Sequence, residues 1–158
     1  MNIDQKALRL YVLILLPAAA AVAWFVFQKE YPSDSGENIH KGGVSVRIGD
    51  QTFDSEVAST SKAREQGLSD RASICRTCSM MFTFDTPGQY RFWMKGMLFP
   101  LDLVWVRDGK VVHIERNVPA DAKGVMFPGA DATEVIETNA RALSSVSVGD
   151  TVVIGDGR

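Results

Sequence analysis

Short alternating runs of apolar and polar residues beyond residue 43, an Asp-Gly pair set between two of them, and a single helical window predict a mainly β fold of the α+β type. The expected architecture is a compact antiparallel barrel or sandwich of about eight strands with one short helix, spanning residues 44–156 and preceded by one transmembrane helix.

The N-terminal element comes first. Leu10 to Phe27 are eighteen consecutive positions without a charge, and a helix rising roughly 1.5 Å per residue makes of them about 27 Å, close to the thickness of a bilayer's hydrocarbon core. Lys6 and Arg9 precede the run, whereas Lys29 is offset by Glu30. The positive-inside bias then places residues 1–9 in the cytoplasm, a signal-anchor helix at 10–28, and the rest of the chain outside, in the periplasm or at the cell surface. Trp24, Phe25, Phe27 and Tyr31 crowd the outer end, where amphipathic rings suit the headgroup level. A cleaved signal peptide is the alternative, because the stretch from Ala18 to Ala23 is built of small residues. The apolar run continues past them through Val26 and Phe27, which favours the uncleaved anchor. Residues 29–43, polar and broken by Pro32, Gly36, Gly42 and Gly43, read as a flexible linker.

The domain's elements follow in order. Val44 to Ile48 alternates, turns at Gly49-Asp50-Gln51, and continues in Thr52 to Val57 as a hairpin would. Thr60 can cap a helix that ends at Gly67. Met80–Phe84, Tyr90–Met94, Leu101–Arg107 and Lys110–Val118 are rich in aromatic and branched residues, as strands are. Asp108-Gly109 between the last two tolerates the positive φ that a two-residue hairpin turn requires. Glu134–Thr138 and Thr151–Ile154 complete the count, with Gly149-Asp150 turning into the latter.

Residues 31–158 carry 14 Lys and Arg against 17 Asp and Glu, without a block of like charge. That balance provides no electrostatic footprint for nucleic acid.

The order Glu56-Val57-Ala58, Thr60, Arg64, Gly67-Leu68, Arg71, Met80-Met81-Phe82-x-Phe84, Phe92-Trp93-Met94-Lys95, Pro100-Leu101-Asp102 and Gly149-Asp150 resembles the domain of unknown function 192 family over roughly residues 44–155. The resemblance implies a compact, mostly β, often exported prokaryotic domain with no assigned activity. Three departures stand out. Ser79-Met80-Met81-Phe82 replaces the family's Gly-Met-Leu-Phe, Gly96-Met97 replaces an Asn-Thr, and the pair Cys75 and Cys78 is not a family feature.

Cys75 and Cys78 are the only cysteines. Outside the cytoplasm a disulfide between them is the default, with a redox-active pair as the sharper reading. Met80, Met81, Met94 and Met97 lie close by in sequence. Thiolate and thioether select Cu(I), so Cys75, Cys78, Met94 and Met97 are a candidate copper set, although methionines beside aromatic residues commonly fill core space. Otherwise no cofactor is expected. Arg64, Arg71, Lys95, Asp102, Glu56 and Glu137 are the charged candidates for a polar site. Asp102 follows Pro100-Leu101 into a strand and needs water or a partner such as Arg71.

No nucleophile elbow, zinc-protease signature, phosphate loop or dinucleotide fingerprint occurs. The expectation is a membrane-anchored binding module of the cell envelope, its site formed by Arg71, Trp93, Met94, Lys95 and Asp102, taking a small molecule, a saccharide or a protein. The alternative is a thiol-redox or copper(I)-handling protein built on the cysteine pair.

Overall fold

The computed structural model of the chain describes residues 43–156. The anchor expected at 10–28 and the linker before Gly43 lie outside the described residues, among which no helix is long and apolar enough to cross a membrane.

Seven strands form one sheet: β1 (Val44–Ile48), β2 (Gln51–Ala58), β3 (Cys78–Gly88), β4 (Leu101–Arg107), β5 (Lys110–Val118), β6 (Ala132–Asn139) and β7 (Val152–Asp156), in the order β5-β4-β6-β3-β2-β1-β7. Neighbours are antiparallel except β2 and β3, which run parallel. A parallel pair cannot be joined by a tight turn, and the crossover between these two carries helix α1 (Ser61–Gln66). Thr60 caps α1 by accepting from the Ala63 amide at 3.2 Å. Gly67, with φ 49°, ends it.

The two hairpins are as expected. β1 and β2 pair from Ile48 opposite Gln51, and Asp108 and Gly109 hold φ of 51° and 67° between β4 and β5, the paired positive values that match strand twist. The sheet curls until its outer strands meet at one corner. There the Val111 amide donates to Asp150 O (3.0 Å), Gly149 N to Val111 O (2.8 Å) and Val152 N to Gly109 O (2.8 Å). The result is a half-barrel. All seven strands contribute to one apolar cluster that includes Val46, Phe53, Met81, Val104, Val111, Ile136 and Val152, closed by Leu143 and Val146 from the turn after β6. β4, central in burial, has both faces covered from Leu101 to Val106.

One expected strand is absent. Tyr90–Met94 makes only an isolated bridge, Phe92 with Met126. Its rings cover the other face of the sheet instead: Tyr90 stacks on Phe84 at 3.4 Å between centroids, and Phe92 stands edge-on to Phe82 at 4.9 Å and to Trp105 at 5.7 Å. The Tyr90 carbonyl accepts from Trp105 Nε1 at 2.8 Å. Alternation of aromatic and polar residues therefore serves a covering segment as well as a strand, since both have one buried side. This cover, with Leu68, Met94 and Met97, forms a second apolar cluster on Met80, Phe82, Leu103, Trp105 and Val135.

Candidate functional site

Between α1 and the covering segment lies a cleft of about 330 Å³. A six-residue helix has little stability of its own, and Arg64 fixes this one to the sheet. Its guanidinium donates to the carbonyls of Ser59 and Thr83 and lies 5.0 Å over the Phe84 ring. Gly67 lets the chain cross Phe82 closely: an added Cβ would sit 3.3 Å from Phe82 Cζ, in a backbone conformation that side chains rarely adopt. The next turn is tied to the 93–100 loop by Ser69 Oγ donating to Lys95 O (3.0 Å) and Asp70 N to Gly96 O (2.8 Å). At Gly96, φ 75°, a Cβ would approach Ser69 Cβ to 3.0 Å. Of these two glycines Gly67 lines the cleft, and Gly96 allows the close approach of the loop to Ser69.

Its walls are aromatic, from Phe82, Phe84, Tyr90, Phe92 and Trp93. Trp93 stands at the rim, 50% exposed. Among these rings lies Glu137 of β6, flanked in register by Met80 and Leu103 and only 5% exposed. Its Oε2 has no hydrogen-bond partner. Burial among apolar groups pushes the Glu137 carboxyl up to about 8, because the charged form is denied water. At neutral pH it is a carboxylic acid, with a donor and an acceptor to offer.

The residues expected to form the site divide. Trp93 lines this cleft, as does Met97 of the proposed metal set, while Met94 is buried behind in the second cluster. Lys95 is exposed on its loop. Arg71 does not meet Asp102; it forms a two-pronged pair with Glu56, at 2.5 and 2.8 Å. That hydrogen bonding raises Arg71 above its usual value against the opposing effect of burial. Asp102 is wholly buried on the opposite face, its Oδ1 accepting from Asn117 N at 2.7 Å and its Oδ2 from Leu143 N at 2.9 Å. The carboxylate that needed a partner found two main-chain amides, so the pairing expected with Arg71 does not form.

Cys75 and Cys78 are joined by a disulfide, Cα atoms 5.0 Å apart. In that state neither sulfur is a thiolate, the form that a soft metal takes. Among the described residues no group of three or more His, Cys, Asp or Glu side chains could hold a metal ion. The cleft's rings other than Trp93 were not singled out from sequence as site residues. The available signal was Glu137 itself, a carboxylate directly after Val135-Ile136 in a strand.

The profile of the domain of unknown function 192 family, described as "Uncharacterized ACR", matches residues 44–154. The chain belongs to this family. The DUF192 domain is similar to a crystal structure from Sinorhizobium meliloti 1021 described as a candidate transcription regulator, with 26% identity and a TM-score of 0.67 over 71% of this chain and 93% of that one. It is equally similar to a protein of unknown function from Novosphingobium aromaticivorans DSM 12444, with 26% identity and a TM-score of 0.67 over 70% of this chain and 84% of the other. No curated protein matches the chain.

Proposed function

We propose that the DUF192 domain binds a small, uncharged, ring-shaped polar ligand of the saccharide class in the aromatic cleft, and that residues 10–28 anchor the chain so that the domain faces the cell envelope. The carrying observation is Glu137, a buried carboxyl without a partner among aromatic walls. Leaving such a group unmet costs about 1–3 kcal/mol, and a ligand hydroxyl would recover that by accepting from and donating to it. The rings supply flat apolar faces for the C–H side of a sugar, with Trp93 exposed where a ligand would enter. The volume is at the lower end of the ~300–1,000 Å³ typical of ligand pockets. An uncharged ligand is favoured because the charges that border the cleft, Arg64 and Arg91 against Glu65, are of mixed sign, while Glu137 inside it is neutral at pH 7. The disulfide suits an oxidising space outside the cytoplasm.

Calorimetric titration of the full chain with a panel of envelope mono- and disaccharides tests the reading. Glu137→Leu should lower affinity at least about tenfold, equivalent to about 1.4 kcal/mol, and Glu137→Gln, which keeps a donor and an acceptor, should lose less. Affinity should also fall as pH rises through about 8, where the acid ionises. Binding that is indifferent to Glu137→Leu, or absent across the panel, would sink the proposal.

A further inference from the structure

Eight arginines lie among the described residues, and six of them have partners. Arg71 and Arg107 pair with carboxylates. Arg47, Arg64 and Arg116 donate to main-chain carbonyls, and Arg91 lies over the Phe127 ring at 4.9 Å. Arg76 and Arg141 make no ion pair, hydrogen bond or ring contact among the described residues, and both line one and the same concavity, of about 520 Å³. No acidic side chain lines it; Thr52, Thr77 and Ser144 bring hydroxyl groups.

Both arginines are carried on constrained backbone. Arg76 is inside the disulfide-closed turn, where Cys78 N donates to Cys75 O at 3.1 Å and Asp54 N to Thr77 O at 2.8 Å. Asn139 Nδ2 holds the same turn through Cys75 O at 2.9 Å. Arg141 has φ 71°, a conformation that glycine or asparagine adopts at less cost. The site is separate from the aromatic cleft, with which it shares no lining residue.

We propose that this concavity binds the phosphate group of a phosphomonoester, with Arg76 and Arg141 as its two charged anchors and the hydroxyls of Thr52, Thr77 and Ser144 as further donors. Two guanidinium groups match the charge of about −1.5 to −2 on a phosphomonoester at pH 7, and their forked donors suit phosphate oxygens. The volume leaves room for the body to which the phosphate is attached.

The test is NMR titration of the full chain with two probes, inorganic phosphate and dihexanoyl phosphatidic acid, against chloride at matched ionic strength. Saturable shifts at the amides of Arg76, Thr77 and Arg141 are expected. An equal response to both probes assigns the site to phosphate itself, and a markedly tighter response to the second assigns it to a lipid headgroup. The double variant Arg76→Gln, Arg141→Asn keeps a residue tolerant of positive φ at 141 and should weaken affinity at least about tenfold. Glu137→Leu should leave it unchanged. Absence of saturable shifts with either probe, or shifts that persist in the double variant, overturns the proposal.

Discussion

Asp102 on β4 stands opposite Thr138 of β6, and Glu137 on β6 stands opposite Leu103 of β4, so the two acids leave opposite faces of the same sheet from adjacent positions. Both are buried. Asp102 lies in a row of small polar residues, Ser55, Ser79 and Thr138 across three neighbouring strands, and each of its oxygens accepts a main-chain amide. Those two amides belong to Asn117 at the end of β5 and to Leu143 in the turn that closes the first cluster, so the carboxylate staples three segments together. Glu137 lies between Met80 and Leu103, and nothing meets its Oε2. The difference teaches which acid is structural and which is available: a satisfied carboxylate has no capacity left for a ligand, and an unsatisfied one does.

The largest expected effect that could break this contrast is that of Asp102→Ala. It strands two amide donors, each costing about 1–3 kcal/mol when buried and unmet, so urea denaturation should show a loss of about 3 kcal/mol with an unchanged m-value. A loss below about 1 kcal/mol would mean that water replaces the carboxylate without penalty and that Asp102 is no staple.

Glu137→Leu should act in the opposite direction, stabilising the fold by about 1–2 kcal/mol at pH values where the carboxyl is protonated in both states, through removal of an unmet polar group, and by more at neutral pH. It also carries a pH signature. The folded carboxyl titrates near 8 instead of its usual 4.5. Between those values the folded state keeps a proton that the unfolded state releases, so stability declines as pH rises, at up to about 1.4 kcal/mol per pH unit. The penalty is absent below the lower value and complete above the upper one. Denaturation midpoints of the wild type and Glu137→Leu should diverge as pH rises across this window; parallel curves would show that the carboxyl has found a partner.

The smallest effect sharpens the comparison by adding an acid that is paired but wet. Arg71 and Glu56 have side chains 38% and 44% exposed, and solvent screens such pairs. Arg71→Ala should cost less than about 1 kcal/mol, and less still at high salt, measured in the same denaturation series. A salt-independent cost larger than this would place the pair in the structural class with Asp102.

Much of the fold was legible because it is written in local chemistry. Asp108-Gly109 supplies the backbone that a tight hairpin needs, and Thr60 and Gly67 bracket α1 with a side-chain acceptor and a positive φ. Tyr90–Met94 shows where local chemistry is ambiguous. A segment with one buried side reads alike whether its backbone joins a ladder or crosses over one, and here only Phe92 bridges. The site was legible in part. From the sequence, the loop from Trp93 to Asp102 is a candidate surface and Glu137 a polar candidate; of that loop Trp93 and Met97 line the cleft. Arg71 and Asp102 were joined on charge alone, an argument silent about which face of the sheet each occupies.

The chain's composition and short-range patterns thus determined a β-rich family domain with one helix, its hairpins and its family membership, since turn chemistry and alternation act over a few residues. Only tertiary structure decided which strands are neighbours, and with that which acid is met by amides and which is left among rings. That outcome depends on register across β3, β6 and β4, where a shift of one residue sends every side chain to the other face.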